Sequence, residues 1–137
     1  MEARFYKELL PLADPVLDVG CGLGDFFGYL RGRGFAGRYT GVDLVPELIE
    51  VAGARDAGHP NATWIVADIL DSDLALEPHD YVVASGLFDY RTPDSAERLP
   101  RTVRRLFDLC GRGLAWNVLN VAPADRTDLY RAPPGDL

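Results

Sequence analysis

The sequence predicts an α/β fold, a doubly wound parallel sheet with strand order 3-2-1-4-5, and three observations carry that prediction. Short apolar runs alternate with amphipathic segments at helical spacing. The first run, Val16–Val19, opens into glycines at alternate positions, Gly20, Gly22 and Gly24. Acidic residues close the next two runs, at Asp43 and Asp68. In open parallel sheets ligands bind outside the carboxyl ends of the strands. All these residues would therefore share one end of the sheet, at the switch between strands 1 and 4.

Each element follows from its local pattern. Phe5, Leu9 and Leu12 predict a short amphipathic helix over 4–12, stopped by Pro11 and Pro15. Val16–Val19 reads as a buried strand. After the glycine turn, Phe26, Phe27, Tyr29 and Leu30 predict a helix that ends in Gly32, Gly34 and Gly37. Tyr39 to Val42 is the second strand, and Pro46 and Glu47 open a helix that runs through Leu48, Ile49, Val51 and Ala52. Ala62 to Val66 is the third strand, and Asp71 to Leu76 reads as a turn or a short helix. His79 to Ala84 is the fourth strand, broken at Ser85-Gly86. A helix over 94–110 places Leu99, Val103, Leu106, Phe107 and Cys110 on one stripe, and Gly111 to Gly113 end it. Leu114 to Leu119 is the fifth strand, and 120–137 reads as a polar tail.

Composition narrows the function classes. A chain of 137 residues is one domain, 1–137, and 47% apolar residues suit a soluble core. Twenty-one acidic residues against fourteen basic ones give a net charge of -7, which argues against general nucleic-acid binding. Arg101, Arg104, Arg105 and Arg112 read as the solvated face of a helix. No apolar run is long enough for a bilayer and no signal-peptide core follows Met1, so the expected compartment is cytoplasmic. Cys21 and Cys110 have no metal-type spacing and read as free thiols; no metal site is expected. His79 falls at the far end of its strand and His59 in a turn, so neither is expected to act as a base.

The glycine turn restricts the ligand. A dinucleotide fingerprint starting at Gly20 requires a sixth-position glycine where this chain has Asp25, and starting at Gly22 it meets Phe27. The Lys and Ser/Thr of a phosphate-binding loop are absent. Apolar residues, an acid and then Gly-x-Gly-x-Gly, here Asp18, Gly20, Gly22 and Gly24, resemble motif I of the class I, Rossmann-like S-adenosylmethionine (SAM)-dependent methyltransferases. SAM carries no phosphate and is cationic, so acids beside the turn suit it. A bare βα turn without a ligand is the other reading of the glycines.

The resemblance covers the chain from about Phe5 onward and implies roles for its residues. Gly41-Val42-Asp43-Leu44 is similar to motif II, in which the acid holds the ribose; Asp43 also reads as a helix N-terminal acid, and NAD-binding folds share the feature. Ala67-Asp68-Ile69 resembles motif III, which implies that Asp68 bonds the adenine amino group while Ile69 packs on the ring. Ser85-Gly86-Leu87-Phe88 corresponds by order to motif IV, and the resemblance implies that the Ser85 carbonyl and the side chains of Leu87 and Phe88 flank the methionine end of the cofactor. It looks like a Ser-Gly-apolar-Phe group of small methyltransferases that mostly has Asn where this chain has Asp89. The implied cofactor contacts are thus Asp18, Gly20, Cys21, Gly22, Gly24, Asp43, Leu44, Asp68, Ile69, Ser85 and Gly86. Phe88, Asp89 and Tyr90 are the candidate contacts to a small-molecule acceptor. No catalytic side chain is assigned, because positioning alone can drive methyl transfer. The chain ends before the antiparallel strands 6 and 7 of the family, which would leave strand 5 as an edge open to self-association. SAM binding without turnover and NAD(P) binding are the rival expectations.

Overall fold

The computed structural model describes residues 13–118 and 125–132. The helix expected over 4–12 lies outside them. Val16 and Leu17 are fully buried, Val19 is 2% exposed, and even Asp18 is buried. A strand closed on both faces belongs at the centre of a parallel sheet. That strand, β1 (Val16–Val19), is followed by α1 (Asp25–Gly32), β2 (Tyr39–Asp43), α2 (Pro46–Asp56), β3 (Ala62–Val66), β4 (His79–Ala84), α3 (Ser95–Asp108) and β5 (Cys110–Trp116). The five strands pair in parallel in the order β3-β2-β1-β4-β5, as the sequence predicts.

The alternation along β1 divides the core in two. Val16 points to the face where Phe27, Leu30, Phe35, Tyr39 and Val83 cluster, with Trp64 packed against them. Leu17 and Val19 point to the other face, with Val42, Ile69, Val82, Leu106 and Leu109. Phe27 and Leu30 come from α1, and Leu106 from α3. Helices therefore cover both faces, and their apolar stripes are what seal the sheet.

Several boundaries differ from the sequence prediction. Gly111 to Gly113 do not end a helix: α3 stops at Asp108, and β5 begins at Cys110. The reason is tertiary. Gly113 pairs with Tyr81, and a Cβ on Gly113 would lie 2.9 Å from the Tyr81 ring. The glycine makes room for that ring, and the pairing is irregular between His79 and Tyr81. Phe107, expected on the inward stripe, is 70% exposed. Leu106 holds the inward position, and each successive helical residue is rotated by about 100°. The segment 71–76 forms turns without a helix.

The arginines expected on one helix face disperse. Arg101 pairs with Glu97 across one turn of α3 at 3.6 Å, and Arg105 donates to the Leu74 carbonyl. Arg112 belongs to β5 and bonds Asp14 at 2.6 Å. The described part of the expected polar tail docks. Leu129 bridges antiparallel to Tyr90, and Ala132 is buried with Phe88 and Leu99. No helix among the described residues is long and apolar enough to cross a membrane.

Candidate active site

The chain leaves β1 through a turn that only glycine fits comfortably. Gly20 has φ +76, and a Cβ there would press on Leu87 at 3.0 Å. Gly24 has φ +79 and forms the N-cap of α1; its Cβ would stand 2.7 Å from the Trp64 ring. Two tethers fix the turn. The Gly22 N–H donates to Asp43 Oδ2 at 2.9 Å, and Arg55 of α2 donates to the Leu23 carbonyl and to Asp25 Oδ1 at 2.9 and 2.8 Å.

Outside the carboxyl ends of the strands lies a cleft of about 390 Å³, the size of a small-molecule site. Gly20, Asp43, Leu44, Asp68, Ile69, Gly86, Phe88 and Tyr90 line it, joined by Val45, Leu48, Leu87, Arg98 and Tyr130. Leu44 and Tyr90 are 59% and 69% exposed, large apolar surfaces held open to solvent. These residues come from distant parts of the sequence. The parallel topology gathers most of them by stacking the ends of β1 to β4 side by side, and α3 and the segment 125–132 add Arg98 and Tyr130.

Both acids of the cleft keep acceptor capacity. A carboxylate presents about four lone-pair directions. Asp43 accepts Gly22 N–H on Oδ2 and Val45 N–H on Oδ1, which leaves one direction open on each oxygen among the described residues. Asp68 Oδ1 accepts the Leu70 N–H at 2.9 Å, and Arg98 Nη2 lies 2.9 Å from both carboxylate oxygens. Among the described residues, its single remaining direction is on Oδ2.

The other sequence candidates stand outside the lining. Asp18 faces the α1 side of the sheet, where the Tyr39 hydroxyl donates to Oδ2 at 2.6 Å. Burial is the largest cause that raises its pKa to about 7, against the opposing Tyr39 hydrogen bond and with help from the Asp43 charge. Cys21 is buried under the turn, and a Cβ on Gly41 would meet its Sγ at 2.9 Å. Burial, then the Asp18 and Asp43 charges, push the thiol up to about 12. Tyr39, between the sheet and α1, has its hydroxyl pKa raised by burial and by Asp18. Gly22, Gly24, Ser85 and Asp89 are not among the residues that line the cleft. His79 bonds Thr40 Oγ1 and the Glu77 carbonyl at the opposite end of β4.

Three supporting residues escaped the sequence reading. Asn117 accepts the Gly86 N–H at 2.9 Å and donates to Ser85 Oγ at 3.2 Å, which holds the loop after β4 over the cleft. Tyr130 reaches the cleft because its N–H donates to the Asp89 carbonyl at 2.8 Å. Arg98 reaches Asp68 from α3. All three act across thirty residues or more, and no local motif signals them.

A five-stranded parallel sheet in this order, with glycines after β1 and acids after β2 and β3, defines a class I methyltransferase fold. The chain belongs to the methyltransferase-domain family, whose pattern it matches over residues 16–111. It is 37% identical over 131 residues to "Putative methyltransferase Rv1506c" of Mycobacterium tuberculosis, covering 89% of this chain and 76% of that protein. It is 30% identical over 92 residues to malonyl-[acyl-carrier protein] O-methyltransferase of Anoxybacillus flavithermus, covering 67% of this chain and 35% of that protein. Among solved structures, a TehB-like SAM-dependent methyltransferase of Corynebacterium glutamicum superposes with TM-score 0.59 at 30% identity, over 77% of this chain and 55% of that one. Magnesium protoporphyrin IX methyltransferase of Synechocystis PCC 6803, solved with bound S-adenosylhomocysteine, shares the fold at TM-score 0.78 and 17% identity, over 98% of this chain and 65% of that one. The chain thus spans about half to two thirds of the length of these solved structures.

Proposed function

We propose that this chain binds SAM in the cleft and transfers its methyl group to a small-molecule acceptor as a single soluble cytoplasmic domain. The observation that carries this reading is the acceptor arithmetic of the two acids. Asp43 offers one open acceptor direction per oxygen, which suits the two vicinal hydroxyls of a ribose, and Asp68 offers one, which suits one N–H of an adenine amino group. Leu44 and Ile69 line the space between them as apolar faces for a planar base. Family membership adds weight to SAM over NAD(P), which the glycine spacing already disfavours.

Bound SAM supplies a methyl group activated on a sulfonium. The chain's part is to bind, orient and exclude water. The turn from Gly20 to Gly24 lets the backbone approach the ligand without a side chain between them. Asp43 and Asp68 fix the nucleoside. The loop Ser85-Gly86-Leu87-Phe88, held by Asn117, borders the methionine end. Phe88, Asp89 and Tyr90, with Tyr130, flank the acceptor. A nucleophile held in line with the methyl gains orders of magnitude from orientation alone, so no protein base is assigned.

The deciding experiment is calorimetric titration with SAM, S-adenosylhomocysteine and NAD of the wild type and of Asp43→Ala. Binding of the two sulfur ligands, weakened about tenfold or more in the variant with NAD silent, is the expected result. Binding of NAD alone, or of none of the three, refutes the reading. Turnover is tested by methyl transfer from labelled SAM to pooled small-molecule acceptors.

A further inference from the structure

Asp68 is held by a residue that the adenine reading does not require. Arg98 lies on the second turn of α3, and its Nη2 stands 2.9 Å from both Asp68 oxygens. The two groups are about one-third exposed, at 32% and 34%, and both line the cleft. An ion pair this open to solvent contributes little to stability. Its effect is geometric. The terminal torsion of an aspartate is soft, and the Leu70 N–H on Oδ1 is a single point that leaves the other oxygen free to swing. A guanidinium nitrogen bridging both oxygens supplies a second point and sets the carboxylate plane.

The bridge also sets the arithmetic of recognition. With Arg98 in place, Oδ1 has no open direction and Oδ2 has one among the described residues. Asp68 thus presents a lone acceptor direction from a fixed plane. We propose that Arg98 is a positioning residue that locks Asp68 as a single hydrogen-bond acceptor and so makes the cleft select a purine carrying an exocyclic amino group over one carrying an oxo group there. An oxo group cannot donate, and it would bring its lone pairs against Oδ2, leaving a charged acceptor unpaired. This rests on the reading of Asp68 as the contact to the base.

The test measures the affinity ratio of S-adenosylhomocysteine to its deaminated counterpart, S-inosylhomocysteine, by calorimetry on wild type, Arg98→Ala and Arg98→Lys. Melting curves establish that each variant is folded. Wild type should prefer the adenosyl ligand by about tenfold or more. Arg98→Ala should compress that ratio several-fold by weakening the adenosyl ligand while the inosyl ligand is unchanged, and Arg98→Lys should restore part of it. An unchanged ratio in Arg98→Ala, or equal weakening of both ligands, overturns the proposal. So does a wild type that binds both equally, which leaves the SAM reading standing. A wild type that binds neither removes the SAM reading and this inference with it.

Discussion

Asp18 should make the protein less stable as pH rises through neutrality, and the effect can be isolated with one substitution. Its carboxyl has a pKa of about 7 in the fold against 3.8 in the unfolded chain, chiefly because burial disfavours the charge. Below 3.8 the group is protonated in both states and contributes no difference. Between 3.8 and about 7 the folded state holds a proton that the unfolded state has released, so stability falls as pH rises. Above 7 the cost is complete. A displacement of about 3 at about 1.4 kcal/mol per pH unit amounts to about 4 kcal/mol. Asp18→Asn removes this cost while an amide oxygen still accepts from the Tyr39 hydroxyl. Urea unfolding of both proteins at pH 5, 6, 7 and 8 gives the difference in stability, in which the other titrating groups cancel. The variant's advantage should grow by about 1.4 kcal/mol per pH unit from 5 to 7 and level off by 8. A constant difference across that range would refute the argument that Asp18 is the buried, protonated acid.

Other perturbations have equally definite outcomes. Gly24→Ala should cost at least about 1 kcal/mol, from a left-handed backbone alone, and should shift Trp64 fluorescence because the new methyl meets its ring. A thiol reagent applied to the native protein at pH 8 should label Cys110, which is half-buried, and spare Cys21, whose proton is held to about 12; mass spectrometry locates the label. Asn117→Ala should lose about 1–2 kcal/mol in urea unfolding through the unpaired Gly86 N–H and should weaken S-adenosylhomocysteine binding. Ala57, left-handed at φ 49 after α2, should gain about 1 kcal/mol on replacement by glycine.

What could be read from the sequence was what local chemistry encodes. The β1 run, the alternate glycines and the acids after β2 and β3 are short-range patterns, and the structure gathers Gly20, Asp43, Asp68 and Ile69 into one cleft because parallel strands share their carboxyl ends. Glycines were misread where their purpose is tertiary. Gly113 is small because Tyr81 packs on it, so a run that looks like a helix stop lies inside β5. Phe107 failed for a related reason: a stripe drawn from spacing alone cannot tell which of two neighbouring apolar residues meets the sheet. Asp18, read with the cofactor contacts, turned out to bond Tyr39 within the core. Arg98, Asn117 and Tyr130 were illegible because each acts on a partner brought close only by the completed sheet.

The docked segment of 125–132 has a consequence for how this protein can change. Asp43, Leu44, Asp68 and Ile69, which line the cleft, are encoded before Ser85, at the ends of β2 and β3 and in the residues that follow them. Tyr130 and the Leu129 bridge to Tyr90 come from the far end of the described chain. Substitutions in those few late codons can therefore reshape one wall of the cleft while the sheet, Asp43 and Asp68 stay as they are. On the proposed reading, the wall that meets the acceptor and the acids that hold the cofactor are written in separate parts of the message, free to drift at different rates.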